Sequence, residues 1–326
     1  MAEGNASVGG SWVGWEVLAV AAEPCSASDK LHMKNKLMIY INGKFVQENK
    51  AMVSIFDRGF LFGDGAFETM RAYSSKVFKL DEHIKRLFYT LKALGIKPPS
   101  LLTNISFQMN TILKQNKLKD AYIRAGVTRG ASGGGFEIVK KIKPTFYIIA
   151  RPFKPYPESW YNKGVKAAIV SIRKIPSSSF NSKLKTHNLL PNILARIEAR
   201  KKGAFEGILL DENGYICEGA VSNIFFVKDS MLLTPSVQND ILSGITRQTV
   251  IGLAKELGIK VREGKFKTER LFNCNGCFLT NSLMEIMPVR MVSSLLVGNG
   301  KPDIITKALI SSYRDIVKRD KSGLIK

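Results

Sequence analysis

Hydrophobic positions between residues 37 and 150 change repeatedly between strand-like and helix-like spacing. The Asn42-Gly43 pair between two apolar runs predicts a β-hairpin over residues 38–46. A helix that Asp81 can cap is predicted from four apolar residues at the i, i+3, i+4, i+7 spacing: Ile84, Leu87, Phe88 and Leu91. The other elements predicted here are strands over 66–73, 121–127 and 144–150 and a helix over 101–115. Strands in one sheet with helices on one side make this an α+β unit.

A proline-rich stretch at residues 151–157 marks the boundary between two predicted domains. It carries three prolines in seven residues, which predicts a stiff, extended connector. Beyond it, the pattern predicts strands over 165–172, 206–210, 215–217, 222–227 and 231–234, and helices over 190–202, 246–257 and 304–318. We therefore expect a smaller N-terminal domain over residues 33–150 and a larger one over residues 158–326.

The chain of 326 residues has a formal net charge of +22, which raises the question of a nucleic-acid or membrane partner. The lysines are spread mostly singly, and neither a zinc-finger spacing nor an aromatic RNA-binding motif accompanies them. With 45% hydrophobic residues, the composition is that of a globular protein. We therefore expect no nucleic-acid partner and keep a basic nucleic-acid-binding protein as a distant alternative.

The four cysteines are too few for a disulfide framework in a chain of this length. Cys274 and Cys277 form a C-x-x-C pair, but no second pair and no ligand-spaced histidines accompany them. A redox pair usually lies where a strand meets a helix, whereas a strand-like run follows this one. The sequence therefore predicts no metal site.

Residues 1–32 differ in composition from the rest of the chain. They are rich in Gly, Ser and Ala and hold four acidic residues and one basic residue, so the remaining chain carries +25. Their apolar run at residues 12–22 is too short to span a membrane, and no basic residue precedes it as in a signal peptide. We expect a vector-derived or disordered extension before a native start near Met33, and a cytoplasmic protein that does not bind membranes.

Three segments of the larger domain carry residue types suited to an anionic cofactor. Gly244 precedes a predicted helix, where the free N–H groups of Ile245 and Thr246 suit a phosphate. Lys185 lies in a loop and can act as a Schiff-base nucleophile where its pKa is lowered. Glu218, at a strand end, can bond a protonated ring nitrogen. Taken singly, each has an ordinary structural explanation: a helix start, a solvated lysine and a turn carboxylate.

Arg86, on the helix predicted after residue 81, adds a guanidinium that suits a phosphate. Lysine, carboxylate and phosphate cradle together are the parts that hold pyridoxal phosphate. Six segments in this order resemble the class IV aminotransferase family: residues 56–68, 82–87, 185–190, 218–225, 243–247 and 285–289. The resemblance runs from Met38 to the C-terminus. It implies the α+β, two-domain fold of fold-type IV pyridoxal-phosphate enzymes, with a smaller N-terminal α/β domain and a larger, β-barrel-like C-terminal α/β domain.

The resemblance also implies roles for individual residues. Lys185 would form a Schiff base with pyridoxal 5′-phosphate and move the proton, Glu218 would bond the pyridine nitrogen, and Leu242 would pack on the ring. The remaining cofactor-binding positions are Arg86, Ser222, Asn223, Gly244, Ile245, Thr246, Asn281 and Ser282. The expected substrate-binding positions are Phe62, Phe67, Thr69, Tyr122 and Arg124.

The resemblance does not select one substrate. Phe67, Tyr122 and Arg124 resemble the branched-chain enzymes, whereas Thr69 and residues 280–286 are closer to aminodeoxychorismate lyase. Residues 130–136 lack the Arg and His that typical D-amino-acid enzymes of the family use. We expect an aminotransferase acting between an amino acid or amine and a 2-oxo acid. The alternative is a 4-amino-4-deoxychorismate lyase that releases pyruvate and 4-aminobenzoate. The family further implies a homodimer.

Overall fold

The structure, a computed structural model, describes residues 37–133, 135–138 and 141–321. The extension expected at residues 1–32 lies outside these described residues. The N-terminal strands are β1 (Met38–Ile41), β2 (Lys44–Gln47), β3 (Gly65–Tyr73), β4 (Lys76–Val77), β5 (Ala121–Thr128) and β6 (Thr145–Pro152). The helices of this part are α1 (Arg58–Phe62), α2 (Leu80–Ala93) and α3 (Ile105–Gln115).

These six strands form one antiparallel sheet in the order β2-β1-β6-β5-β3-β4. The predicted hairpin is confirmed, because Asn42 and Gly43 adopt φ values of 47° and 90°, as a tight Asn-Gly turn requires. The helices α2 and α3 bury their apolar stripes against this sheet, with Leu87, Leu91 and Met109 in the shared core. Hydrophobic burial on that face is what fixes α2 beside β3.

Two helix starts differ from the sequence prediction. The helix α2 begins at Leu80 after Lys79, which has a φ of 55°, so Asp81 lies in the first turn and does not cap the helix. The helix predicted from residue 101 begins as a 3₁₀ turn at Ser100–Asn104, and the α-helix follows it. Both errors arise where a local conformation, and not the apolar spacing, sets the boundary.

The strands of the second part are β7 (Val165–Arg173), β8 (Glu206–Leu210), β9 (Ile216–Gly219), β10 (Asn223–Lys228), β11 (Met231–Pro235), β12 (Val261–Gly264), β13 (Gly276–Asn281), β14 (Glu285–Val292) and β15 (Leu295–Leu296). Its helices are α4 (Glu158–Lys163), α5 (Leu190–Lys201), α6 (Ile245–Glu256), α7 (Thr268–Phe272) and α8 (Ile304–Lys321). The strands run in the order β12-β11-β10-β13-β14-β7-β8-β9, with β15 on β14. The sheet curls until β9, at its edge, contacts β10.

The described residues include no helix that is long and apolar enough to cross a bilayer.

The strand β6 runs to Pro152, so the first two residues of the proline-rich stretch still pair with β5. Pro152 is tolerated there because it stands at the end of the strand, beyond the reach of β1.

Candidate active site

A cavity of about 380 Å³ lies between the two sheets. Its walls are side chains of β3, β5 and α2 on one side, and the ends of β7 and β9, the starts of α5 and α6 and the turn after β13 on the other. Of the sixteen residues predicted for the site, fifteen line this cavity. Phe62 is the exception, since its ring packs 5.2 Å from that of Phe136 and beneath Arg58.

Lys185 is held in an extended segment that runs alongside β3. The Phe67 N–H donates to the Lys185 carbonyl at 3.1 Å, and the His187 N–H donates to the Gly65 carbonyl at 3.1 Å. The amine Nζ lies 4.7 Å from the centre of the Phe67 ring. Burial, reinforced by the nearby Arg86 guanidinium, lowers the pKa of Lys185 to about 8. This amine is therefore uncharged, and nucleophilic, at a lower pH than a surface lysine.

Glu218 lies at the end of β9 and is held by three donors. Lys174 Nζ lies 2.6 Å from its Oε1, while the Leu242 N–H (3.0 Å) and Asn223 Nδ2 (3.3 Å) reach its Oε2. Burial alone would lower the pKa of Lys174, but the adjacent carboxylate of Glu218 raises this pKa above its ordinary value. The pair is thus an ammonium and a carboxylate, and the carboxylate presents a fixed acceptor to the cavity.

The N-terminus of α6 opens onto the same cavity. Gly244 precedes the helix in an extended conformation, and a Cβ there would lie 2.0 Å from Asn223 Oδ1. The first N–H groups of a helix have no acceptor within it, so Ile245 and Thr246 can donate to a ligand in the cavity. These donors, with the positive end of the helix dipole, make an anion-binding site.

Arg86, on α2, reaches this anion site from a buried network. Its Nε and Nη2 bond both oxygens of Glu68 (2.6 and 2.7 Å), and its Nη1 donates to the Ser243 carbonyl at 2.9 Å. His83 Nδ1 lies 2.8 Å from Glu68 Oε2, and its Nε2 lies 3.5 Å from Ser282 Oγ. Burial would raise the pKa of Glu68, but Arg86 and then His83 lower it to about 2.

The outer wall of the cavity is aromatic and positively charged. The Arg124 guanidinium lies 3.7 Å over the Phe67 ring, and its Nε donates to the Tyr147 hydroxyl at 3.2 Å. Burial, with Arg124 nearby, lowers the pKa of His187 to about 4, so this histidine beside Tyr147 is neutral. The four predicted substrate residues that line the cavity take alternate positions on two paired strands: Phe67 and Thr69 on β3, Tyr122 and Arg124 on β5.

Ser222 and Asn281, two further predicted cofactor residues, form hydrogen bonds within the protein. Ser222 Oγ donates to Glu206 Oε2 at 3.2 Å. Asn281 Nδ2 donates to the Val221 carbonyl at 3.0 Å, and its Oδ1 accepts the N–H groups of the turn after β13 at 2.9 Å. Both residues line the cavity, and these bonds show that they also shape its wall.

Sequence reasoning did not assign a role to Lys174, Glu68 or His83. Lys174 lies eleven positions before Lys185 in a Lys-rich chain, so nothing local distinguishes it. Glu68 and His83 both occur in the segments that resemble the family. A carboxylate in a strand that is otherwise almost wholly buried was the signal available for Glu68.

Comparison with protein families gives a match to the family described as Amino-transferase class IV over residues 65–292. A protein of Methanocaldococcus jannaschii assigned to the branched-chain-amino-acid aminotransferases is 42% identical over 288 residues, which are 88% of this chain and 98% of that protein. The aminodeoxychorismate lyase of Bacillus subtilis is 36% identical over 284 residues, 86% of this chain and 95% of the lyase. Both kinds of relative therefore match nearly end to end.

Among solved structures, the branched-chain amino acid aminotransferase of Escherichia coli superimposes with a TM-score of 0.83 at 32% identity, covering 86% of this chain and 95% of that one. The branched-chain aminotransferase of the archaeon Thermoproteus uzoniensis, solved with norvaline, superimposes with a TM-score of 0.81 at 31% identity, covering 86% and 95%. The α+β fold that the resemblance implies is confirmed, and the curled second sheet corresponds to its β-barrel-like part.

Proposed function

Because the chain belongs to the class IV aminotransferase family, we propose that it is a pyridoxal-phosphate-dependent aminotransferase acting between an amino acid and a 2-oxo acid. The observation that carries the proposal is the single cavity that joins the buried amine of Lys185, the fixed carboxylate of Glu218 and the N-terminus of α6. These are a nucleophile, a partner for a protonated ring nitrogen and a phosphate site, in one enclosure. A solved branched-chain aminotransferase of the same fold contains pyridoxamine 5′-phosphate, which supports this choice of cofactor.

The residues of the cavity fit pyridoxal phosphate. Thr280 Oγ1, on the cavity wall, is buried and has no hydrogen-bond partner within the described part of the chain. A buried hydroxyl of this kind is suited to an oxygen-rich ligand. Within the described part of the chain, Glu68 and the Ser243 carbonyl engage three of the five N–H groups of the Arg86 guanidinium, so the others can donate to a phosphate. The phosphate would be held by these groups, by the amides of Ile245 and Thr246 and by the Ser282 hydroxyl.

When bound, the cofactor supplies an aldehyde that reacts with amines and a ring that withdraws electrons from the substrate α carbon. Lys185 provides the reacting amine, and its lowered pKa lets it take and return a proton near neutral pH. Glu218 would keep a proton on the ring nitrogen of the bound cofactor, since its carboxylate is fixed by Lys174 and the Leu242 amide. Arg124 holds a substrate carboxylate at the outer wall.

We further propose that the amino donor has a branched aliphatic side chain. The branched-chain aminotransferases among the relatives and solved structures support this, and so do the aromatic side chains of Phe67 and Tyr122 in the cavity wall. The lyase stays the second candidate, because the Bacillus subtilis lyase matches this chain over 86% of its length.

The absorbance of the purified protein tests both candidates. An aminotransferase is expected to lose its visible cofactor absorbance with a branched-chain amino acid alone and to regain it with 2-oxoglutarate. The amount of 2-oxo acid formed should equal the cofactor converted. Persistent absorbance with every amino acid, together with 4-aminobenzoate and pyruvate formed from aminodeoxychorismate, would favour the lyase. A protein that develops no such absorbance after incubation with pyridoxal phosphate contradicts both candidates.

Two groups of exposed hydrophobic side chains support the proposal of a homodimer. One lies in and before α1: Met52, Val53, Ile55, Phe56 and Phe60. The other lies on α5: Leu190, Ile193, Leu194 and Ile197. Clusters of exposed apolar side chains mark interaction surfaces, whereas isolated ones do not. The start of α5 also lines the cavity through Pro191 and Asn192, so a second copy on this face would border the site.

Sedimentation velocity tests this assembly. The unsubstituted chain is expected to sediment at twice the mass of one chain, and Ile193→Asp is expected to shift it toward the monomer, because a charge would be buried at the interface. Leu257→Asp, at an exposed leucine just beyond α6 and outside both groups, is the matched control and should leave the dimer intact. A monomeric unsubstituted chain would contradict the proposal.

A further inference from the structure

The phosphate end of the cavity holds less positive charge than a phosphate dianion needs. Among the described side chains that line this cavity, Arg86 is the cation that bonds the segment just before α6, and its charge is balanced by Glu68, which accepts two of its hydrogen bonds. The N-terminus of α6 adds about half a charge, whereas a phosphate monoester carries about −1.5 to −2 near neutral pH. The second cation–anion pair, Lys174 with Glu218, is neutral as a unit and holds the ring-nitrogen end.

His83 lies next to this end of the cavity, in contact with Glu68 and Ser282. It is buried on α2, with Glu68 on one side of its ring and Ser282 on the other. Because Glu68 is ionised, with a pKa of about 2, it can only accept, so Nδ1 of His83 carries the hydrogen. The neutral ring therefore presents the lone pair of Nε2 to the hydroxyl of Ser282, over a long contact of 3.5 Å.

The charged groups around His83 come from each element that packs against it. Glu68 faces it from β3, Arg86 from its own helix and Lys185 from the segment before α5. Glu82, the preceding residue, pairs with Lys79 at 3.0 Å. Burial, with help from Arg86 and Lys185, lowers the pKa of His83 despite the opposing effect of Glu68. The histidine is therefore neutral before an anion enters.

We propose that binding of the cofactor phosphate is coupled to uptake of a proton at Nε2 of His83, which supplies the missing positive charge. This inference rests on the proposed function. On binding, the Ser282 hydroxyl turns its hydrogen from Nε2 to a phosphate oxygen. A proton from solvent then occupies Nε2, which donates to Ser282 Oγ, while Nδ1 keeps its hydrogen bond to Glu68. His83 is thus a positioning residue: it acts on the phosphate through Ser282.

Calorimetric titration of the cofactor-free chain with pyridoxamine 5′-phosphate tests the coupling, because this probe carries the phosphate but no aldehyde for Lys185. Titrations in two buffers of different ionisation enthalpy, at about pH 8, above the ordinary histidine pKa of about 6.5, give the number of protons taken up. We expect about one more proton per bound probe for the unsubstituted chain than for His83→Asn. The affinity of the unsubstituted chain for pyridoxamine 5′-phosphate should fall by up to about tenfold per pH unit at high pH. The affinity of His83→Asn should fall by less.

Two controls isolate the phosphate and the histidine. Pyridoxamine, which lacks the phosphate, should show no difference in proton count between the unsubstituted chain and His83→Asn. His187→Asn removes the histidine beside Tyr147, which is not among the residues that line the cavity, and should leave the proton count unchanged. Equal proton counts for the unsubstituted chain and His83→Asn would overturn the inference. An unsubstituted chain that binds no pyridoxamine 5′-phosphate at all would overturn the proposed function, and the inference with it.

A direct measurement covers the case in which His83→Asn does not fold. Nitrogen chemical shifts of ¹⁵N-labelled histidine in the unsubstituted chain report the protonation of each ring nitrogen. We expect Nε2 of His83 to change from unprotonated to protonated when pyridoxamine 5′-phosphate is added. An unprotonated Nε2 in the complex would contradict the proposal.

Discussion

Replacing Lys185 by alanine is expected to lower the rate of transamination by about 10⁴-fold, the upper end of what a positioned acid–base group contributes. The variant loses the amine that reacts with the cofactor and the group that moves the proton. Among the described residues, Lys174 is the other lysine that lines the cavity, and it cannot replace Lys185 because its amine is engaged by Glu218. Steady-state kinetics with a branched-chain amino acid and 2-oxoglutarate measure the loss.

The chain offers a matched control two residues earlier. Lys183 is exposed and is not among the residues that line the cavity, so Lys183→Ala should keep the rate of the unsubstituted chain. Lys185→Ala should still bind pyridoxamine 5′-phosphate, since the contacts at Arg86 and α6 are intact. A Lys185→Ala variant that retains activity within tenfold of the unsubstituted chain, or a Lys183→Ala variant that loses as much, would contradict the assigned role.

Replacing Glu218 by glutamine is expected to reduce both activity and stability. A neutral amide cannot hold a proton on the ring nitrogen, and loss of such an electrostatic contact costs roughly 10²–10³-fold in kcat. The substitution also leaves the Lys174 ammonium buried without its carboxylate. Breaking one side of a buried ion pair lowers the free energy of unfolding by about 3–5 kcal/mol. Kinetics and chemical denaturation report the two effects separately.

The double variant Glu218→Gln with Lys174→Met separates these causes. Methionine removes the orphaned charge, so the free energy of unfolding should recover much of its loss. Activity should stay low, because the carboxylate that faces the ring nitrogen is still missing. Recovery of activity along with stability would show that Glu218 matters only as the partner of Lys174.

Much of the fold followed from local patterns in the sequence. The Asn42-Gly43 turn, the apolar stripe of α2 and the glycine before α6 each specify their element through backbone conformation or periodic burial. The prediction that Asp81 caps α2 was wrong because Lys79 takes a left-handed conformation, which a lysine at that position does not indicate. Boundaries of this kind depend on how the chain enters the core.

The candidate site was predictable to the extent that it lies in contiguous motifs. Lys185, Glu218 and the Gly244-Ile245-Thr246 segment were predicted because together they are the parts that hold pyridoxal phosphate and because they lie in segments that resemble the family. The structure brings them into one cavity. The Lys174–Glu218 pair spans 44 positions and forms because β7 and β9 flank the same strand, β8, in the second sheet. No periodicity in the sequence encodes that strand order.

The strand β3 positions both Lys185 and Arg86 through two consecutive residues. The backbone of Phe67 holds the segment of Lys185, and the side chain of Glu68 holds Arg86. Successive residues of a strand face opposite ways, so one rigid strand fixes the position of Lys185 relative to that of Arg86. A displacement of one sheet against the other would therefore carry both together. The distance between Lys185 and Arg86 then stays the same, whereas the distance from each of them to Glu218, on the other sheet, changes.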